Sequence, residues 1–88
     1  MTSQLSITFR KGKPLVAYLA LVPLTDRKVI RTELLRPGVV VDVGINDEPV
    51  GVEFTDPGLV TQADIAAVVE RLHAPSSLAR DLQPLLAA

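Results

Sequence analysis

The chain predicts an α+β fold: an antiparallel meander sheet of four to five strands followed by two C-terminal helices packed on one face. Three observations carry this. Apolar and polar residues alternate with period two through much of residues 4–55, Pro and Gly punctuate the alternating runs, and after Asp56-Pro57-Gly58 the apolar spacing changes to three and four. Eighty-eight residues suit one domain, so residues 1–88 are read as a single unit.

Leu5, Ile7 and Phe9 alternate with Ser6, Thr8 and Arg10, which predicts a strand with one wet face, and Lys11-Gly12-Lys13-Pro14 breaks it. Leu15 to Val22 is apolar throughout, with Leu15, Ala17, Leu19 and Leu21 on one side and Val16, Tyr18, Ala20 and Val22 on the other. Such a strand wants cover on both faces. Pro23 to Lys28 reads as a loop and Val29 to Leu35 as a third strand.

Pro37-Gly38 predicts a type II turn, since Pro presets φ at the first turn position and Gly accepts positive φ at the second. A tight turn there sets Leu34 against Val41 and Glu33 against Asp42. A one-residue slip would bring Glu33 opposite Val41 on the buried side. The following hairpin, turning at Asn46-Asp47, pairs Ile45 with Glu48, Val43 with Val50, Val41 with Val52 and Val39 with Phe54. Pro49 has no N–H for the ladder, which favours the end of an edge strand there.

Beyond Pro57, Thr61 and Asp64 have the spacing of an N-cap and its third helical residue, and Val60 and Ile65 that of a hydrophobic staple. Ile65, Val68, Val69 and Leu72 follow at helical intervals, so the strands occupy about 4–55 and a helix about 62–73. Pro75 ends that helix. Ser76 or Ser77 can cap a second one over about 77–83, bearing Leu78 and Leu82 and stopping near Pro84.

Composition narrows the class. With apolar residues at 48% and aromatics at 3%, the core must be aliphatic, helped by Phe9, Phe54 and Tyr18. The absence of Cys removes disulfides and thiolate chemistry and fits the cytoplasm. Nine basic and ten acidic residues leave a net charge of −1, and the scattered cations offer nucleic acid no extended footprint. The longest apolar stretch, Leu15 to Leu24, is about half the ~20 residues of a membrane span, and Ser3, Gln4, Ser6 and Thr8 do not form a signal peptide.

Arg31-Thr32-Glu33, Pro37-Gly38-Val39-Val40-Val41-Asp42 and Val50-Gly51-Val52-Glu53, in that order and spacing, resemble the YuzE-like family of short bacterial proteins, domain of unknown function 2283 (DUF2283). The resemblance runs from about Ile7 to Phe54. Tyr18 is the one residue kept from that family's acidic and Asp-Ala-Leu-Tyr-like second strand, and the turn from Gly44 to Pro49 lacks its Asp-Gly. The resemblance implies a small antiparallel sheet, an uncharacterised role, and an antitoxin-like partnership with small neighbouring proteins.

Candidate chemistry is sparse. In the registers above, Glu33, Asp42 and Glu53 share the face opposite Val41 and Val52, where three carboxylates could hold a hard cation or act as an acid and base. A solvated sheet face balanced by Arg31 is the plainer reading. His73 suits a helix C-terminus, Ser76 and Ser77 suit capping, Gly51 suits close packing, and Gly38, Gly44 and Gly51 lack phosphate-loop spacing.

Surplus hydrophobicity is the stronger clue. A helix over Leu15, Ala17, Leu19, Val41 and Val52 leaves Val16, Tyr18, Val22 and Val40 uncovered, and exposed patches of that kind mark protein contacts. The expectation is a non-enzymatic interaction module without cofactors, forming a homo-oligomer or binding a small protein partner. Val16, Tyr18 and Val40 form its surface, with Arg31 and Glu33 at the rim. The alternative is a small metal-binding or hydrolytic domain built on the carboxylates.

Overall fold

One antiparallel sheet of five strands, in the order β1-β2-β5-β4-β3, carries the computed structural model, which describes residues 3–23, 25 and 27–88. The strands are β1 (Gln4–Arg10), β2 (Lys13–Ala20), β3 (Arg31–Arg36), β4 (Val39–Val43) and β5 (Pro49–Phe54). The β3-β4-β5 meander returns β5 to the side of β2, so the connection after β2 carries the chain to the far edge. Of the loop expected over Pro23–Lys28, Leu24 and Asp26 lie outside the described residues.

Turn chemistry follows the residues. Gly38 sits at φ 81, as a type II Pro-Gly turn requires. Asn46 and Asp47 are both left-handed, at φ 62 and 59, and the Glu48 N–H donates to the Ile45 carbonyl at 3.3 Å. Two such residues match the right-handed twist of the strands they join. Lys11 and Gly12, at φ 53 and 77, close the β1-β2 hairpin in the same way.

Alternation puts Ala17, Leu19, Val39, Val41, Val43, Val52 and Phe54 on one face, all fully buried. Above them lie α1 (Gln62–Arg71) and α2 (Ser77–Asp81), with a 3-10 segment at Gln83–Ala87, contributing Ile65, Val68, Leu72, Leu78, Leu82 and Leu85 to the same cluster. The expected pairs Val41 with Val52 and Val39 with Phe54 are observed. Val43, however, lies opposite Pro49 rather than Val50, because a bulge inserts Val50. Pro49 opens the central strand rather than ending an edge one, and at a first position its missing N–H interrupts the ladder least.

The β3-β4 register corrects the expected one by a residue. Arg36 pairs with Val39 across the turn, then Leu34 pairs with Val40, Glu33 with Val41 and Thr32 with Asp42. Leu35 is the extra residue of a bulge, and it flips every side chain N-terminal to it onto the other face. Glu33 therefore points to the helical side, the arrangement that pattern alone disfavours. It is tolerated there because β3 is an edge, where Arg71 of α1 donates to Glu33 through Nε at 2.6 Å and Nη2 at 3.2 Å. Those bonds hold the Glu33 carboxyl below the usual range and push the Arg71 guanidinium pKa up.

Helix α1 begins with a full capping box. The Asp64 N–H donates to Thr61 Oγ1 at 3.2 Å, and the Thr61 N–H donates to Asp64 Oδ2 at 2.9 Å. The other Asp64 oxygen accepts from Arg36 Nε at 2.6 Å, so both ends of α1 are tied to β3 by ion pairs. The helix stops two residues before the expected end. His73, at φ 51, donates its N–H to Glu70 O, and Ala74 donates to Val69 O, a Schellman closure usually given to Gly. Ser76 precedes α2 but forms no side-chain capping bond, contrary to the expectation for it.

Burial opposes ionisation of Asp64, yet the Thr61 N–H and Arg36 outweigh it and hold its carboxyl below the ordinary range. With folded pKa values depressed, the stability due to Glu33 and Asp64 is present above the unfolded carboxylate range and lost as pH falls through the folded one. Asp64→Ala should therefore cost about 1–2 kcal/mol near neutrality, chiefly from the lost capping bonds, the ion pair to the partly exposed Arg36 adding little. Urea unfolding of both proteins should show that difference shrinking towards about pH 3.

Candidate functional site

The helical layer covers one face of the sheet, and the candidate site is the other. Alternation places Ser6 and Thr8 of β1, Val16, Tyr18 and Ala20 of β2, Gly51 and Glu53 of β5, Val40 and Asp42 of β4, and Thr32 and Leu34 of β3 there. One row runs Ser6, Tyr18, Glu53, Val40, Leu34 across all five strands, and its neighbour runs Gln4, Ala20, Gly51, Asp42, Thr32.

Tyr18 organises the centre. Its ring lies across Gly51, and its hydroxyl donates to Asp42 Oδ2 at 2.8 Å, spanning β5 from β2 to β4. A Cβ at position 51 would stand 1.8 Å from that hydroxyl oxygen, so the crossing requires Gly there. The Arg27 guanidinium packs over the ring, 4.5 Å from its centroid. Burial and the bond to Asp42 push the Tyr18 phenol up to about 12, against the opposing pull of Arg27. Near neutrality a phenol so held is neither base nor nucleophile, and it serves as a rigid strut.

Val16, Tyr18 and Val40 occupy this face as expected, each half-buried. Arg31 and Glu33 do not form its rim. The bulge at Leu35 turns both to the helical side, where Arg31 contacts Glu33 at 3.4 Å and Asp47 at 3.2 Å. The carboxylate trio is likewise divided: Asp42 and Glu53 share the uncovered face, but Glu33 is across the sheet with Arg71. Among the described residues no group of three His, Cys, Asp or Glu side chains could hold a metal ion. His73 and Ser76 serve the helix boundary, remote in role from this face.

Leu34 is the residue that pattern reading missed. It was expected beneath the helix and instead stands 71% exposed beside Val40. The adjoining Leu34-Leu35 pair is the only sequence hint, since either leucine can face the core once the other is bulged. Arg27 was also missed, because its stacking comes from a connection whose path no periodicity records.

The chain has one Tyr and no Trp, so tyrosinate absorbance reports Tyr18 alone. In the native protein it should titrate at about 12, and in Gly51→Ala, where the ring must leave Asp42 and Arg27, near the free value of about 10. Because the folded pKa is raised, its stabilising share is complete below about pH 10 and lost as pH rises towards 12. Alkaline urea unfolding of Tyr18→Phe should lack that loss.

Among the described residues no helix is long and apolar enough to cross a membrane. Compared with family models, curated proteins and solved structures, the chain matches none.

Proposed function

We propose that this chain is a non-enzymatic interaction module, acting in the cytoplasm, that docks a protein on the uncovered face of its sheet. The observation that carries the reading is Leu34, 71% exposed beside Val40 on a face without helical cover, with Val16 half-buried further along it. Glu53 lies between Tyr18 and Val40 in the row that ends at Leu34, Asp42 lies in the adjoining row, and among the described residues neither enters an ion pair within 4.0 Å. The partner that fits presents aliphatic side chains flanked by Arg or Lys, able to cover Leu34 and Val40 and to answer the two carboxylates.

Tyr18 favours this reading over a catalytic one, because its proton is retained far above neutrality and its position is held by the bond to Asp42 and by Arg27 over its ring. A braced aromatic loses little freedom on binding, which suits a contact residue. The similarity of Arg31-Thr32-Glu33, Pro37 to Asp42 and Val50 to Glu53 to the YuzE-like pattern belongs to the same proposal: a divergent relative with an antitoxin-like, partner-binding role.

Leu34→Asp with Val40→Asp should leave the circular dichroism spectrum native while weakening partner binding at least tenfold, about 1.4 kcal/mol. The check is capture from native lysate with wild type and variant side by side, followed by titration of any differentially held protein. An identical captured set from the folded variant would remove this face from consideration.

A further inference from the structure

The two edges of the sheet are treated differently. β3 is guarded: Leu35 bulges out of it, and Arg31, Glu33 and Arg36 turn charge inward along it, two of them tied to α1. These are the devices by which proteins keep an edge from pairing with another chain. β1 has none of them. Its seven residues, Gln4 to Arg10, include no Pro, no Gly, no acidic residue and a single charge at the very end. The bulge in the β1-β2 ladder inserts Leu15 on β2, which leaves β1 itself regular. Phe9 remains 55% exposed at its C-terminal part, and Leu5 and Ile7 are only partly covered by the core.

The sequence of β1 is also complementary to itself. A two-fold axis through Ile7 sets two antiparallel copies so that Ile7 faces Ile7, Leu5 faces Phe9, Ser6 faces Thr8 and Gln4 faces Arg10. On the helical side every facing pair is apolar, and on the other side every pair is polar. The two Arg10 cations stand roughly 20 Å apart, at 3.4 Å per residue. An isologous contact asks for this kind of match, the same patch serving both copies.

We infer that β1 pairs antiparallel with β1 of a second copy, joining two five-stranded sheets into one continuous sheet with both helical layers on the same side. This deepens the interaction-module reading by naming one partner. It also extends the uncovered face: Val16 and Thr8 of one copy align with Ser6 and Tyr18 of the other across the axis. Val40 lies three strand spacings from this edge, about 14 Å, so the two surfaces can be broken separately.

The test is a charge swap on exposed β1 residues, read by light scattering coupled to size exclusion. Wild type should have the mass of two chains. Ser6→Lys with Thr8→Lys brings like charges face to face twice and should yield one chain, whereas Ser6→Lys with Thr8→Glu brings opposite charges together and should keep two. A wild type of one chain, or the same mass for both double variants, overturns the inference. Should the first variant fail to fold, hydrogen exchange on wild type decides: alternate β1 amides should exchange faster on dilution, and exchange independent of concentration rejects the pairing. Leu34→Asp with Val40→Asp should leave the mass at two chains. If it gives one chain instead, the self-contact lies on the open face and the edge inference fails, while a dimer that captures no partner defeats only the docking proposal.

Discussion

Apolar contact between Val39, Val41, Val43, Val52 and Phe54 on the sheet and Ile65, Val68, Leu72, Leu78, Leu82 and Leu85 above it is the interaction on which the rest depends. Each such side chain removed from water contributes about 1.5–3 kcal/mol, the largest favourable contribution open to a chain with so few aromatics. Because strand side chains alternate strictly, choosing Val41 and Val52 for the core assigns Val40, Asp42, Gly51 and Glu53 to the opposite face. The uncovered surface is thus a consequence of the core and not a separate invention.

Polar contacts then adjust what the core leaves loose. Helix α1 is tied to the edge strand at both ends, by Asp64 to Arg36 and by Arg71 to Glu33, which fixes its direction over the sheet. Both pairs are partly exposed, so their worth lies more in orientation than in energy. On the other face, the Tyr18 to Asp42 bond bridges β2 and β4 over Gly51, and the Arg27 guanidinium closes over the ring. That face is consequently braced at its centre and apolar towards β3.

Periodicity made much of this legible. The period of two in β1, β4 and β5, the unbroken apolar run of β2, the Pro37-Gly38 and Asn46-Asp47 turns, and the Thr61 to Asp64 capping box follow from local chemistry. Bulges were not legible, because a single inserted residue leaves no mark on composition. Leu35 is the costly instance, since it exchanged Glu33 for Leu34 on the uncovered face and dismantled the carboxylate trio. The strand order was equally hidden: nothing in a local pattern says that β5 returns to pair with β2, which is why Pro49 suggested an edge. Edge protection, by contrast, can be read from side chains once the order is known.

The central claim is that one face of the sheet is core and the other is open, residue by alternating residue. Methyl NMR in the presence of a soluble paramagnetic probe tests it directly. The methyls of Val39, Val41 and Val52 should keep their linewidths while those of Val40 and Leu34 broaden. Equal protection of Val40 and Val41, or broadening of Val52, would contradict it.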